Sequence, residues 1–285
     1  MTGALVLGAS GQLGTAFSRL APDATLVTRA ELDLAVATGA EIRSLLAERS
    51  PSLVVNCAAY TAVDKAEEDE ALATRVNGHA VGLLAQAAGE VGLPFVSYST
   101  DYVFAGDATQ PYVESDPTSP VNAYGRSKLV GEEAAFSANP DALIVRTSWV
   151  LSSTHRNFVT AILGRAVKGE TLSVVNDQRG CPTVVDDLAA ATLAAVEKGA
   201  SGLLHLTNQG ETTWFDLART AVDMAGLDDD LVSPCPTSDY PTPAQRPAYS
   251  VLGSERVEKL GVTPLPRWVD SLEGVVAGSL ALLGV

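Results

Sequence analysis

A four-residue apolar run, Ala4-Leu5-Val6-Leu7, is followed at once by glycines at positions 8, 11 and 14, and then by a segment that opens a helix near Thr15. Nothing else in the chain limits the fold as tightly. Apolar residues in sequence, without polar alternation, predict a strand covered on both faces. Glycines three apart directly after such a strand let the backbone turn sharply and let helix N-terminal amides approach an anion, here the pyrophosphate of a dinucleotide. The simpler alternative for this stretch is a tight turn that joins strand to helix.

The segments that follow keep alternating. Ala24 to Thr28 predicts a strand, Gly39 to Arg49 a helix, Leu53-Val54-Val55-Asn56 a buried strand, Ala71 to Gly89 a long helix carrying Asn77, and Phe95 to Ser99 another strand. This order predicts an α/β protein with a doubly wound parallel sheet of the Rossmann type. Beyond Val150 the order loosens: a helix at Asn157 to Gly169, a strand at Leu172 to Val175, a helix at Asp187 to Gly199, a strand at Leu203 to Thr207 returning to the main sheet, and a helix at Thr213 to Ala225. We therefore expect a dinucleotide-binding domain over 1–150, rejoined by 184–210, and a smaller mixed α/β substrate domain over 151–183 and 211–285. Pro234, Pro236, Pro241, Pro243 and Pro247 fix an irregular path unsuited to a sheet interior.

Tyr124 and Lys128 are four residues apart, so on a helix they share a face. An ammonium within about 4 to 6 Å of a phenol favours the phenolate and brings its pKa toward working pH, which makes Tyr124 a candidate proton donor or acceptor. Thr100, delivered by the strand at Phe95, could hold a carbonyl oxygen beside it. A packed ring and a solvated charge is the alternative for such a pair. Its place after the glycine turn and several strand-helix units favours the catalytic one. The loop from Ala105 to Asn122, rich in Pro, Asp, Thr and Ser, is expected to border the substrate, and the acidic run Glu67 to Glu70 to be a solvated helix start.

Where a NAD-selective site would carry an acid at the end of the second strand, this chain offers Thr28 and Arg29. A hydroxyl and a guanidinium suit a 2′-phosphate, so NADPH is the expected cofactor, with NADH as the alternative. Asp33, in Leu32-Asp33-Leu34, is a cap or turn residue on its own terms. Cys57-Ala58-Ala59-Tyr60 ends the third strand with residues small enough for a cofactor to lie against. Arg246, in a rigid proline-rich loop, is placed to clamp a diphosphate.

Such a clamp matters because the formal net charge is −15, which excludes a nucleic-acid or anionic-membrane partner on electrostatic grounds. Cys57, Cys181 and Cys235 form no CxxC pair and suggest reduced thiols, while His79, His155 and His205 have no ligand-like spacing and read as core or surface residues. No apolar run reaches membrane-spanning length, and Met1 leads almost directly into a strand without the regions of a signal peptide, so a cytoplasmic protein is expected.

The glycine turn, Ser99-Thr-Asp-Tyr-Val-Phe104 and Tyr124-Gly-Arg-Ser-Lys128 resemble the extended short-chain dehydrogenase/reductases. Arg146-Thr-Ser-Trp-Val150, Leu172-Ser-Val-Val-Asn-Asp-Gln178, Cys181-Pro-Thr183 and Tyr240-Pro-Thr-Pro-Ala-Gln-Arg-Pro247 narrow the resemblance to the dTDP-4-dehydrorhamnose reductase family over nearly the whole chain. The resemblance implies reduction of the 4-ketone of dTDP-6-deoxy-L-lyxo-4-hexulose to dTDP-L-rhamnose. It implies Tyr124 as proton donor, Lys128 lowering its pKa and holding the nicotinamide ribose, and Thr100 orienting the ketone. Thr100, Asp101, Tyr124 and Trp149 would meet the sugar. Gly11, Gln12, Leu13, Asp33, Ala58, Ala59 and Tyr98 would line the cofactor by that resemblance, and Gly8, Gly14, Leu34 and Tyr60 are expected beside them from the glycine turn and the segments around Asp33 and the third strand's end. Some members carry a glutamate two residues after the third glycine for a magnesium-linked dimer; here that residue is Ala16, so no metal is expected and the chain could be a monomer or a homodimer. A reductase yielding dTDP-6-deoxy-L-talose or another deoxysugar, or a non-catalytic regulatory subunit of methionine adenosyltransferase, are the alternatives the resemblance leaves open.

Overall fold

The computed structural model describes residues 3–285. Its centre is a six-stranded parallel sheet built from β1 (Ala4–Leu7), β2 (Thr25–Val27), β3 (Leu53–Asn56), β4 (Phe95–Thr100), β5 (Leu143–Thr147) and β6 (Gly202–His205), in the order β6-β5-β4-β3-β1-β2. β1 lies between β3 and β2, with Val6 opposite Val55 on one side and Leu26 on the other. The apolar runs are explained by burial on both faces. Along β1, Ala4 and Val6 enter one core while Leu5 and Leu7 enter the other, and along β5 Leu143 and Val145 part in the same way from Ile144.

The first core is closed by Ala16 and Phe17 of the Gln12–Leu20 helix and by Leu188, Ala189 and Ala195 of the Val185–Glu197 helix. Ala16 is fully enclosed there. The second core is closed by Ile42 and Leu46 of the Gly39–Arg49 helix and by Ala80, Leu84 and Ala88 of the Ala80–Glu90 helix. The Gly39–Arg49 helix starts on a reciprocal cap, in which Thr38 accepts from the Glu41 amide and the Glu41 carboxylate accepts from the Thr38 amide.

A third core joins Leu151, Leu163, Leu172, Val174, Leu217, Val222, Leu272 and Val275. It unites the helices Phe158–Ala166, Trp214–Met224 and Trp268–Leu283 with a parallel ribbon of Leu172–Val175 and Val232–Cys235. Pro234 sits within that ribbon, opposite Val174, so the proline-rich segment opens as a strand; a ribbon of two strands has only edges, where a missing N–H is tolerated. The 211–285 stretch is not confined to this third core, because Val257, Val262 and Leu265 pack into the first.

Two expected connections take a different form. The long helix at Ala71 is three pieces in series, Glu70–Thr74, a π-helical turn at Arg75–His79, and Ala80–Glu90. The loop after Phe104 does not border the main cleft. Tyr112 stacks on Phe104 at 4.2 Å and its hydroxyl accepts the amides of Gly106, Asp107 and Ala108, folding the loop back against Leu252. Among the described residues no helix is long and apolar enough to cross a membrane.

Candidate active site

The carboxyl ends of β1, β3, β4 and β5 open into one cleft of about 960 Å³, closed on its far side by residues of the third core. Gly8, Gly11, Gln12, Leu13, Arg29, Asp33, Leu34, Ala58, Ala59, Tyr60, Tyr98, Thr100, Asp101, Tyr124, Lys128 and Trp149 all line it. Segments more than 100 residues apart in sequence thus meet around one space. Gly14, Thr28 and Arg246 stand back from it. Gly14 packs the helix onto the turn, since a Cβ there would lie 2.3 Å from the Gly8 carbonyl oxygen. The Thr28 amide and hydroxyl both donate to Glu31, at 3.0 and 3.3 Å.

Arg246 is committed to Asp64, donating to its two oxygens at 2.6 and 2.9 Å, so the guanidinium expected to clamp a diphosphate already has a carboxylate. Its charge still reaches the cleft through Tyr102, whose ring meets that of Tyr124 edge to face at 6.0 Å. Arg29 likewise has a partner, Asp33, which also accepts from the Ala35 amide; that amide and Arg29 hold the Asp33 carboxyl below the usual range.

Tyr124 and Lys128 lie on the Ala123–Ala138 helix, whose start is pinned from three directions. Asn122 accepts the Gly125 amide at 2.8 Å and donates to the Gln245 carbonyl at 2.8 Å, while Glu67 accepts the Ala123 amide at 2.8 Å. Glu70 takes Arg126 at 2.7 and 3.0 Å, so the acidic run is not merely solvated: it holds the helix of Tyr124 and Lys128. Gly125 is required by close approach, because a Cβ there would stand 2.1 Å from the Tyr102 carbonyl oxygen. The π turn has its use here too. Asn77 within it accepts the Tyr60 amide at 2.8 Å and donates to the Tyr60 carbonyl and the Ser127 hydroxyl at 3.0 and 2.9 Å, tying the end of β3 to the helix between Tyr124 and Lys128.

The electrostatics of the dyad depart from expectation. Lys128 is buried and donates to the Tyr98 carbonyl at 2.5 Å, and burial lowers its pKa to about 8 against the opposing pull of Glu132. Burial, and then the Asp101 carboxylate, push the Tyr124 phenol well above the usual tyrosine value; only the Thr100 hydroxyl acts the other way. Lys128 is thus anchored on the strand rather than on the phenol, and Tyr124 is held protonated. Tyr98 serves as that anchor, its own hydroxyl spent on Thr192 at 2.9 Å. Thr100 donates to Asp101 Oδ1 at 2.8 Å, and burial raises the Asp101 pKa to about 6 despite the nearby Ser250 and Thr100 hydroxyls.

Gln12 Oε1, Ser99 Oγ, Asp101 Oδ2 and Thr147 Oγ1 are buried without a hydrogen-bond partner, and all four residues line this cleft. A buried polar atom left unpaired costs about 1–3 kcal/mol, so their gathering in one place marks a surface built for a polar ligand. Trp149 adds strain to the same wall. Its φ of 46° is left-handed, and its ring stacks on Trp214 at 3.6 Å. Trp214, His155 and Arg156 also line the cleft. None stands out in the sequence: Trp214 opens a helix of the third core, and a lone histidine carries no spacing signal.

Comparison with known proteins agrees with this geometry. A family profile described as the RmlD substrate binding domain matches residues 1–280. The chain is 44% identical over 283 residues to a Streptomyces antibioticus protein named "Probable dTDP-4,6-dihydroxy-2-methyloxan-3-one 4-ketoreductase", covering 97% of this chain and 95% of that one. It is 42% identical over 281 residues to a dTDP-4-dehydrorhamnose reductase of Burkholderia thailandensis, covering 93% and 94%. Its fold superposes with a TM-score of 0.92 on the dTDP-4-dehydrorhamnose reductase of Bacillus anthracis in complex with NADP, at 32% identity and covering 96% and 99% of the two chains. Matched along nearly its whole length by the profile and by these relatives, the chain belongs to the RmlD, or dTDP-4-dehydrorhamnose reductase, family of oxidoreductases.

Proposed function

We propose that this chain uses NADPH to reduce the 4-keto group of dTDP-6-deoxy-L-lyxo-4-hexulose, giving dTDP-L-rhamnose. The observation that carries the reading is the set of partnerless polar atoms on Gln12, Ser99, Asp101 and Thr147, all in the cleft that also holds Tyr124 and Lys128. The residues present suit a dinucleotide: Gln12 presents an unpaired oxygen in the glycine turn, and the Gln12–Leu20 helix starts there. Gly11, Gln12 and Leu13 would hold the diphosphate, Asp33, Leu34, Ala58 and Ala59 the adenosine half, and Tyr60, Tyr98 and Lys128 the nicotinamide half.

The bound cofactor supplies the hydride. The chain supplies position and a proton. Trp149 and Trp214 form a flat wall for the sugar, and Asp101 offers an acceptor to its hydroxyls. Tyr124, kept protonated by burial, stands beside Thr100 and delivers its proton to the ketone oxygen as negative charge develops there. Lys128, anchored on the Tyr98 carbonyl, would hold the nicotinamide ribose in place.

A second reading keeps this chemistry and changes the sugar, and it is favoured by the Streptomyces antibioticus relative, whose name specifies a different dTDP-linked ketone. One experiment separates the two. The purified chain is incubated with NADPH and enzymatically generated dTDP-6-deoxy-L-lyxo-4-hexulose, nicotinamide absorbance is followed, and the product is identified by NMR. Formation of dTDP-L-rhamnose supports the proposal. The C4 epimer, dTDP-6-deoxy-L-talose, keeps the substrate and the mechanism and overturns the product, whereas no turnover while NADPH still binds transfers support to another dTDP-4-keto sugar.

A further inference from the structure

A chain of net charge −15 must hold its anionic ligands with few cations. The cationic or potentially cationic side chains lining the cleft are Arg29, Lys128, His155 and Arg156. Arg29 is paired with Asp33 at 3.1 Å and Lys128 is anchored on Tyr98, while Arg246 outside the lining is neutralised by Asp64. Among the described residues, Arg156 has no carboxylate partner. It is the cleft's uncommitted guanidinium.

The turn that carries it is held against the glycine motif. His155 Nε2 meets the Ser10 carbonyl oxygen at 3.1 Å, which requires the proton on Nε2 and leaves Nδ1 to accept from the Thr154 hydroxyl at 3.0 Å. Thr154 in turn pairs with the Ser152 hydroxyl at 3.1 Å. Asn157 closes the turn from behind, donating to the Ser152 and His155 carbonyls at 2.6 and 3.0 Å while its oxygen caps the Phe158–Ala166 helix. The segment is therefore a preorganised strap that crosses from the third core to the glycine turn.

We propose that this strap completes the dinucleotide site: His155 fastens it to Ser10, and Arg156 supplies the cation for the cofactor's diphosphate that the glycine turn itself lacks. The inference rests on the dinucleotide reading above. A guanidinium there complements the turn's backbone amides, which carry dipoles but no net charge.

The test compares wild type with Arg156→Ala, Arg156→Lys and His155→Ala, using fluorescence titration with NADPH, NADH and dTDP at low and moderate salt. Arg156→Ala should weaken NADPH and NADH alike by roughly tenfold, reduce the salt dependence of both, and leave dTDP binding unchanged, with Arg156→Lys recovering most of the loss. His155→Ala should weaken both dinucleotides in the same direction. Unchanged dinucleotide affinity in Arg156→Ala overturns the strap while leaving the cofactor reading intact. A loss confined to NADPH would assign Arg156 to the 2′-phosphate, and a loss confined to dTDP would assign it to the substrate; either overturns the proposal. Wild type that binds neither dinucleotide removes both readings together.

Discussion

The Glu132 carboxylate takes both prongs of the Arg146 guanidinium, at 2.8 and 2.6 Å, in an interior where the two side chains are only 4% and 3% exposed. Glu132 lies one helical turn after Lys128, and Arg146 lies on β5 opposite Ser99 of β4, with its guanidinium 4.9 Å from the Phe104 ring centre. The pair therefore ties the Tyr124 helix to β5, one of the strands that end in the cleft. Because each charge is buried, removing one partner strands the other. Glu132→Gln should cost about 3–5 kcal/mol in urea denaturation, whereas the double replacement Glu132→Leu with Arg146→Met should recover much of the loss. Single and double variants of equal stability would contradict this.

Tyr124→Phe removes the acidic proton and keeps the ring packed against Tyr102. Turnover should fall by roughly 10²- to 10⁴-fold with cofactor affinity almost unchanged. Lys128→Ala should lower turnover and cofactor affinity together, because the lysine serves both; steady-state rates and a titration of NADPH distinguish the two patterns.

Asp101 produces a pH effect with a definite sign. Folded, it keeps its proton up to about pH 6; unfolded, it releases it near 3.8. Between those values the folded state binds more protons, so this residue's contribution to stability is full below the lower value and is lost as pH rises through the upper one. Asp101→Asn retains an acceptor for Thr100 and removes the titration. Relative to wild type it should gain about 2 kcal/mol on going from pH 4 to pH 7. Denaturation curves of both proteins at the two pH values measure the change, and a constant difference would refute the assignment.

Trp214→Ala removes the face on which Trp149 stacks, leaving the ring of a strained residue against Gly180 without that support. The KM for the sugar nucleotide should rise about three- to tenfold, with the affinity for NADPH unchanged. Equal losses for both ligands would mean that the tryptophan pair supports the cleft generally rather than the sugar.

Local patterns carried much of this protein. Apolar runs long enough only for buried strands, glycines at 8, 11 and 14, and a tyrosine and lysine one helical turn apart are all short-range signals, and the sheet, the glycine turn and the shared face of Tyr124 and Lys128 follow from them. Position on the strand at Phe95 also brought Thr100 to the cleft, while Asp101 and Trp149 were expected there only from the family resemblance. Pairings between distant segments are a different matter. That Arg246 is held by Asp64, that the loop after Phe104 folds onto Leu252, and that Glu67 and Glu70 grip the start of the Tyr124 helix depend on which side chains meet across the folded chain. The charge state of Tyr124 belongs to the same class: spacing brings an ammonium onto its face of the helix, but burial, which only the packed structure sets, turns the shift upward. Trp214 and the His155 strap reach the cleft, and Asn77 reaches Tyr60 at its edge, from elements whose own periodicity concerns only their packing, so tertiary structure alone decided their place.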